Sequence, residues 1–372
     1  NIITKEAANK PLAGSVGASV GNLGYYQGNF SLSGRTNAFS YVLTGSRNEW
    51  AGWRDGANYR GWNLLAKPSV ETPAGRFTFS YQFHDEHSEN PDILTPAQFA
   101  ANPRQRGATQ FLFEQELHRG WIGYQKSFEE AWTVNAKAFA TKDSGFNSGF
   151  ANVATVQPSY GGTLQLDWKT EPWQHANTLT LGGEAVRQDF TQVASSIFGT
   201  STTVHDSSTL SFFAQDALQL APKLALAAGV RFDHRSTFMN VPFAFPAFSG
   251  GKENNVWSPK GSLNWEFAEK SSAWVSLSQA YRLPSANDVV SADPRFAGNP
   301  ALVPVNARTV EVGVRSQWHQ LLGGSLAYYH SRVDDDIFSD PAAGAAASAD
   351  ALRQGVELSL NSRPAEWLEL DF

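Results

Sequence analysis

Residues 224–233 read Leu-Ala-Leu-Ala-Ala-Gly-Val-Arg-Phe-Asp. In an extended chain Leu224, Leu226, Ala228, Val230 and Phe232 share one face, and Ala225, Ala227, Gly229, Arg231 and Asp233 share the other. Side chains alternate across a β-strand, so the stretch predicts a strand with one greasy and one polar surface. The pattern recurs outward from here. In 76–84 Phe77, Phe79, Tyr81 and Phe83 alternate with Thr78, Ser80, Gln82 and His84. In 163–169 Leu164, Leu166 and Trp168 alternate with Thr163, Gln165, Asp167 and Lys169. Val310, Val312 and Val314 are set against Glu311, Gly313 and Arg315, and Val356, Leu358 and Leu360 against Glu357, Ser359 and Asn361.

Extended along the chain, this reading places about seventeen strands, from 12–20 to one that starts near residue 367. The connections alternate in length, save the first, near Asn22, which is short where a long one is due. Short ones are expected near Thr36, Pro73-Ala74-Gly75, Glu129-Glu130, Pro172, Pro222-Lys223, Glu269-Lys270, Leu322 and Pro364-Ala365. Long ones are expected near 48–59, 87–110, 143–159, 192–206, 236–255, 283–306 and 335–353. A soluble sandwich also produces alternating strands, but Greek-key connections do not alternate short and long. An up-and-down membrane barrel does, with tight periplasmic turns and larger external connections. The expected fold is all-β: a transmembrane, antiparallel up-and-down barrel. Its apolar face meets lipid, its polar face lines the lumen, and Trp121, Tyr124, Trp132, Trp168, Trp257, Trp265 and Trp367 are expected in the interfacial girdles.

Composition agrees. Charged residues make up 17%, below the roughly 25% of soluble domains, while aromatics reach 13%. No run of about 18 apolar residues exists, so no transmembrane helix is expected. A barrel strand needs only about 9–11 residues, half of them apolar. With Cys 0, disulfides, thiolate metal sites and cysteine nucleophiles are excluded. A net charge of -6 argues against nucleic acid as a partner. Asn1 to Lys5 do not read as a signal peptide.

An ordered series of motifs resembles a known family. Asn1-Ile2-Ile3-Thr4-Lys5 is similar to the exit from the plug domain of TonB-dependent receptors. Leu210-Ser211-Phe212-Phe213-Ala214-Gln215-Asp216, followed by 224–233, resembles a mid-barrel hairpin of that family. Trp257-Ser258-Pro259-Lys260-Gly261, Tyr281-Arg282-Leu283-Pro284-Ser285, Gly298-Asn299-Pro300-Ala301-Leu302, Thr309-Val310-Glu311-Val312-Gly313 and Gln354-Gly355-Val356-Glu357-Leu358 follow in the family's order. Each motif is weak alone; the series is specific. The resemblance implies a barrel of about 22 strands around a plug. On that count, residues 1–11 are an exit segment from a missing plug and residues 12–372 a partial barrel, truncated at its C-terminus and not expected to fold alone.

By resemblance the function is import across the bacterial outer membrane of a scarce solute, most simply a ferric siderophore. Energy would come from the TonB inner-membrane complex through a segment outside this chain. The alternatives are a passive porin or channel, or TonB-dependent import of cobalamin, haem or another cofactor. The single methionine, Met239, argues against a thioether copper site. Neither a nucleophile-elbow G-x-S-x-G, an H-E-x-x-H pair nor a P-loop is present, so no enzyme, catalytic residue, metal site or cofactor is expected.

Candidate solute contacts lie in the outer connections. Trp50, Trp53, Arg54, Tyr59, Arg60 and Trp62 combine aromatic faces with guanidinium groups, which suits an anionic, aromatic chelate. An interfacial belt with loop-packing rings would use the same residue types. His84 and His87 flank Asp85 and Glu86, yet alternation sends the two imidazoles to opposite faces, and a solvated loop accounts for them equally. Arg104 and Arg106 are anion-contact candidates, with plain solvation as the alternative. Phe243 and Phe245 belong to an apolar loop that either lines the mouth or packs on its neighbours. The lumenal charges Glu184, Arg187, Arg231, Asp233, Glu311, Arg315 and Glu357 are expected to pair with a plug.

Overall fold

The computed structural model describes residues 6–197, 199–242, 247–289, 298–319, 322–340, 345–365 and 367–371. Seventeen strands follow in chain order: β1 (Ala13–Val20), β2 (Tyr26–Thr36), β3 (Phe39–Trp50), β4 (Tyr59–Thr72), β5 (Gly75–Asn90), β6 (Phe111–Phe128), β7 (Trp132–Ser148), β8 (Asn152–Thr170), β9 (Asn177–Ser196), β10 (Gly199–Ala221), β11 (Leu224–Val241), β12 (Phe248–Ala268), β13 (Ser271–Arg282), β14 (Val305–His319), β15 (Leu322–Asp340), β16 (Ala345–Ala365) and β17 (Leu368–Asp371). Two short helices, α1 (Pro96–Ala101) and α2 (Ala286–Val289), sit in the connections after β5 and β13. Among the described residues, each residue-by-residue pairing joins a strand antiparallel to the next one in the chain. The result is a barrel wall of up-and-down hairpins. Among the described residues no helix is long and apolar enough to cross a membrane.

The two faces of this wall have exchanged the usual roles of core and surface. Leu164 is 58% exposed, Phe212 56% and Val356 68%, and Phe77, Ile122, Val230 and Val312 share their outer face. On the inner face Ser211 is 0% and Asp233 2% exposed. Apolar groups at the outside and enclosed polar groups at the inside are what lipid demands of a barrel, because the backbone is satisfied by its own ladder. On β8 the girdle aromatics Tyr160 and Trp168 share this outer face, with Leu164 midway between them. Trp168 stacks on Trp132 with ring centroids 4.7 Å apart. Trp121 departs from the expectation: register places it with Gly123 and Arg119 on the lumenal side, under the Lys137 ammonium at 4.8 Å.

The short connections stand where sequence put them. Residues 37–38 close β2 on β3, with Asn37 at φ 49° in the left-handed region that asparagine tolerates. The long ones need correction. β7 and β8 stay paired up to Asn147 with Val153, and β9 and β10 up to Ser196 with Gly199. β15 and β16 stay paired as far as Asp340 with Ala345. The segments expected as loops at 143–159, 192–206 and 335–353 are mostly ladder. β10 has 23 residues, about twice what a bilayer requires.

Part of the expected charge pairing is also revised. Arg231 Nη2 donates to Glu184 Oε1 at 3.0 Å and to Ser211 Oγ at 2.8 Å, while its Nε donates to Asp233 Oδ1 at 2.8 Å. Ser211 in turn donates to Asp233. Trp274 Nε1 donates to Glu311 Oε1 at 2.7 Å. The wall therefore satisfies these groups itself. Arg187 lies on the outer face opposite Tyr160 and pairs with Asp189 at 2.9 Å.

Candidate functional site

The rim over β3–β6 is built from two connections, 51–58 and 91–110, that close on each other. Gly52 makes the first turn possible: its φ is 78°, and a Cβ there would lie 2.3 Å from the Ala57 carbonyl oxygen. In the second, Thr95 caps α1 through a capping box with Gln98. Asp92 sits at φ 61° and accepts from the amides of Ile93 (2.7 Å) and Thr109 (3.3 Å). Between them lies Arg54. Its guanidinium donates to the carbonyls of Asp92 (2.7 Å), Gln105 (3.0 Å from Nη2, 3.2 Å from Nε) and Pro91 (3.4 Å). The amide of Asp55 donates to the Arg104 carbonyl at 2.8 Å. Arg54 is thus committed to holding one loop against the other, and its charge meets carbonyl dipoles rather than open solvent.

The remaining candidates separate by face. Trp50 and Tyr59 are partners across β3 and β4 on the lumenal face, with Trp50 43% exposed. Trp53 stands on the rim, 45% exposed. Arg104 and Arg106 are exposed nearby, and Arg106 Nη1 donates to Gln110 Oε1 at 2.9 Å. Arg60 and Trp62 lie on the outer face, where Trp62 receives the Arg47 guanidinium at 4.7 Å. His84 faces the lumen, hydrogen-bonded to Asn63 at 2.9 Å and 3.4 Å from Glu86. His87 faces outward between Glu114 (3.0 Å) and Glu89 (3.4 Å). The structure therefore groups Trp50, Trp53, Tyr59, Arg104 and Arg106 around the mouth, separates Arg60, Trp62 and His87 from them, and gives Arg54 a holding role. Among the described residues, no group of three or more His, Asp or Glu could hold a metal. Phe243 and Phe245 lie outside the described residues.

Sequence reading missed a second feature, a lumenal cleft of about 470 Å³ on β6–β8 lined by Arg119, Trp121, Lys137, Phe139 and Asp143. Its carboxylate is occupied: Gln115 Nε2 donates to both oxygens of Asp143, at 3.0 and 2.9 Å. Its two cations face the lumen beside two aromatic rings. The only local signal was inward parity of these residues on strands of opposite direction, which requires the register to be known.

Comparison with known proteins follows from this geometry. The family model described as "TonB dependent receptor-like, beta-barrel" matches residues 9–372. Among solved structures, the alcaligin outer membrane receptor FauA of Bordetella pertussis superposes with a TM-score of 0.75 at 16% identity, over 97% of this chain and 60% of that one. The siderophore receptor PiuA of Acinetobacter baumannii gives a TM-score of 0.78 at 15% identity, over 98% and 63%. The Serratia marcescens hemophore receptor HasR, solved with its hemophore HasA and heme, gives 0.73 at 17%, over 96% and 61%. No curated protein matches at a significant level of sequence similarity. The chain spans about 60% of the length of the FauA structure. With a family match over nearly all its residues and a wall that carries lipid-facing and lumenal surfaces in register, this chain belongs to the TonB-dependent receptor-like β-barrel family.

Proposed function

We propose that the chain forms the barrel wall of an outer-membrane active-transport receptor that imports a ferric siderophore and is energised through the TonB inner-membrane complex. In this reading residues 12–372 are the barrel domain and residues 1–11 lead into it from a plug. The supporting observation is the exposed Trp53 ring at the rim, carried on a loop that Arg54 clamps to its neighbour. An exposed indole on a loop tied to the one that carries Arg104 and Arg106 suits a solute that is both anionic and aromatic, because ring faces and guanidinium groups each contribute. Below it, Arg119 and Lys137 continue the same chemistry down the lumenal wall. The resemblance to the siderophore receptor PiuA favours the same cargo.

The test is intrinsic tryptophan fluorescence of the protein in detergent, titrated with ferric siderophores and, in parallel, haem and cobalamin. Saturable quenching by one ferric chelate, weakened about tenfold by Trp53→Ala (a loss of roughly 1.4 kcal/mol), is expected. Quenching by haem or cobalamin alone would reassign the cargo. Silence toward all ligands, combined with steady ion conductance in a planar bilayer, would replace the receptor with a passive channel.

A further inference from the structure

On the lumenal face of β10, β11 and β12, above the membrane, Leu283, Pro284, Val289 and Pro300 complete the lining of a cavity of about 50 Å³. Three basic side chains line it: His205, Arg235 and Lys252. The rest of its wall is largely apolar, with Met239, Phe248 and Val289 packed together as a small core. Among the described residues, no carboxylate lines the cavity.

The hydrogen bonding here is incomplete. Arg235 Nη2 donates to Ser207 Oγ at 3.3 Å, and Lys252 Nζ donates to the Leu302 carbonyl. Arg235 Nε and His205 Nε2 are shielded from solvent and have no hydrogen-bond partner. By contrast, Arg231 on the same wall has its Nε and Nη2 answered by Glu184, Ser211 and Asp233. A shielded guanidinium nitrogen with no acceptor is costly, and a cationic enclosure with no counter-charge costs more.

We propose that this cavity is a binding site for one small oxyanion of phosphate or carboxylate size. Such an ion would accept from Arg235 Nε and from His205 in the tautomer that carries its proton on Nε2, and would sit beside the Lys252 ammonium. The apolar walls strengthen these charge-assisted bonds by lowering the local dielectric. The volume admits one compact group and excludes a whole chelate. The site does not rest on the import reading: failure of ferric-chelate binding leaves it standing, and failure of oxyanion binding leaves import standing.

The test uses phosphorus NMR of inorganic phosphate with the protein in detergent, and crystals soaked in selenate, whose anomalous signal locates the ion. Saturable broadening at millimolar phosphate is expected, weakened at least tenfold in Arg235→Gln and unchanged in Arg187→Gln, on the outer face. Displacement by acetate would show that carboxylates share the site. A selenate peak within hydrogen-bond reach of Arg235 Nε and His205 Nε2 is expected. If Arg235→Gln does not fold, His205→Gln serves as the second variant with the same expected loss. Equal broadening in the wild type and in a folded variant, or well-diffracting soaked crystals with no selenate peak in the cavity, would overturn the proposal.

Discussion

Leu164 and Thr163 are neighbours in the chain and belong to different solvents. Leu164 points to the outer face midway between two girdle aromatics, while Thr163 points inward, opposite Lys137 on one side and Glu184 on the other. The peptide bond between them separates a surface selected for lipid from one selected for water and charge. In a soluble protein the equivalent contrast runs from surface to core over several ångströms of depth. Here it is compressed into the alternation of a single strand, and each side is satisfied by different means: lipid contact outside, hydrogen-bonded charge inside.

The sharpest way to break this comparison is to place one charge on each side. Leu164→Arg should destabilise the barrel by about 2–4 kcal/mol, the cost of arginine near the bilayer midplane, whereas Thr163→Arg should stay within about 1 kcal/mol because the lumen solvates it. Denaturant unfolding in lipid vesicles measures both; equal losses would show that the two faces are not distinct solvents. Next in size is the lumenal network. Asp233→Ala leaves Arg231 with one carboxylate and Ser211 without its acceptor, and should cost about 2–3 kcal/mol. A loss below about 0.5 kcal/mol in the same assay would show that the lumenal face is held by something other than its charges.

The rim gives a smaller, local effect. Arg54→Ala removes the clamp between 51–58 and 91–110 without touching the ladder. Global stability should move by about 1 kcal/mol or less, while amides of 91–110 exchange faster and proteases cut there first. Unchanged exchange would show that the capped α1 turn is sufficient by itself. The smallest effect concerns acid. Burial, and then the neighbouring Arg235, hold His205 below the ordinary imidazole value, against a weaker opposing pull from Asp206. A depressed folded value means that the unfolded chain takes up the proton first, so stability is complete above the unfolded value and declines as pH falls below about 6.5. In oxyanion-free buffer His205→Gln should flatten that decline; an unchanged pH slope would remove His205 from the account.

The fold was legible where the two faces meet different solvents, and illegible where they do not. Phe77 to Phe83, Leu164 to Trp168 and Leu224 to Phe232 alternate because one side touches lipid. Above the membrane both sides touch water, so 192–206 carries no period-two signal, although 192–196 and 199–203 pair with each other in unbroken register. A hydrogen-bonded ladder leaves no mark on composition when neither face needs grease. The mouth was legible as residue types and not as roles. Arg54 and Arg60 look alike in the chain, yet one ties two loops together and the other lies outside the barrel, and only the parity of β4 with the path of the second loop distinguishes them. Trp121 was misplaced for the same reason. The cavity at His205, Arg235 and Lys252 depends on contacts across three strands and a distant connection, which no local pattern announces.

The height of β10 carries a mechanical consequence. At about 3.3 Å per residue its 23 residues extend roughly 75 Å along the strand, and at a tilt near 45° more than 20 Å of it clears a hydrocarbon layer about 30 Å thick. That overhang is hydrogen-bonded to β9 from Gly199 and to β11 from Val204 downward. Such a structure is a stiff palisade rather than a set of tentacles: it bends as a plate, resists snapping shut, and fixes the bore of the mouth in advance. On the import reading proposed above, a solute arriving from outside would meet a gauge of set width before any side chain that could recognise it.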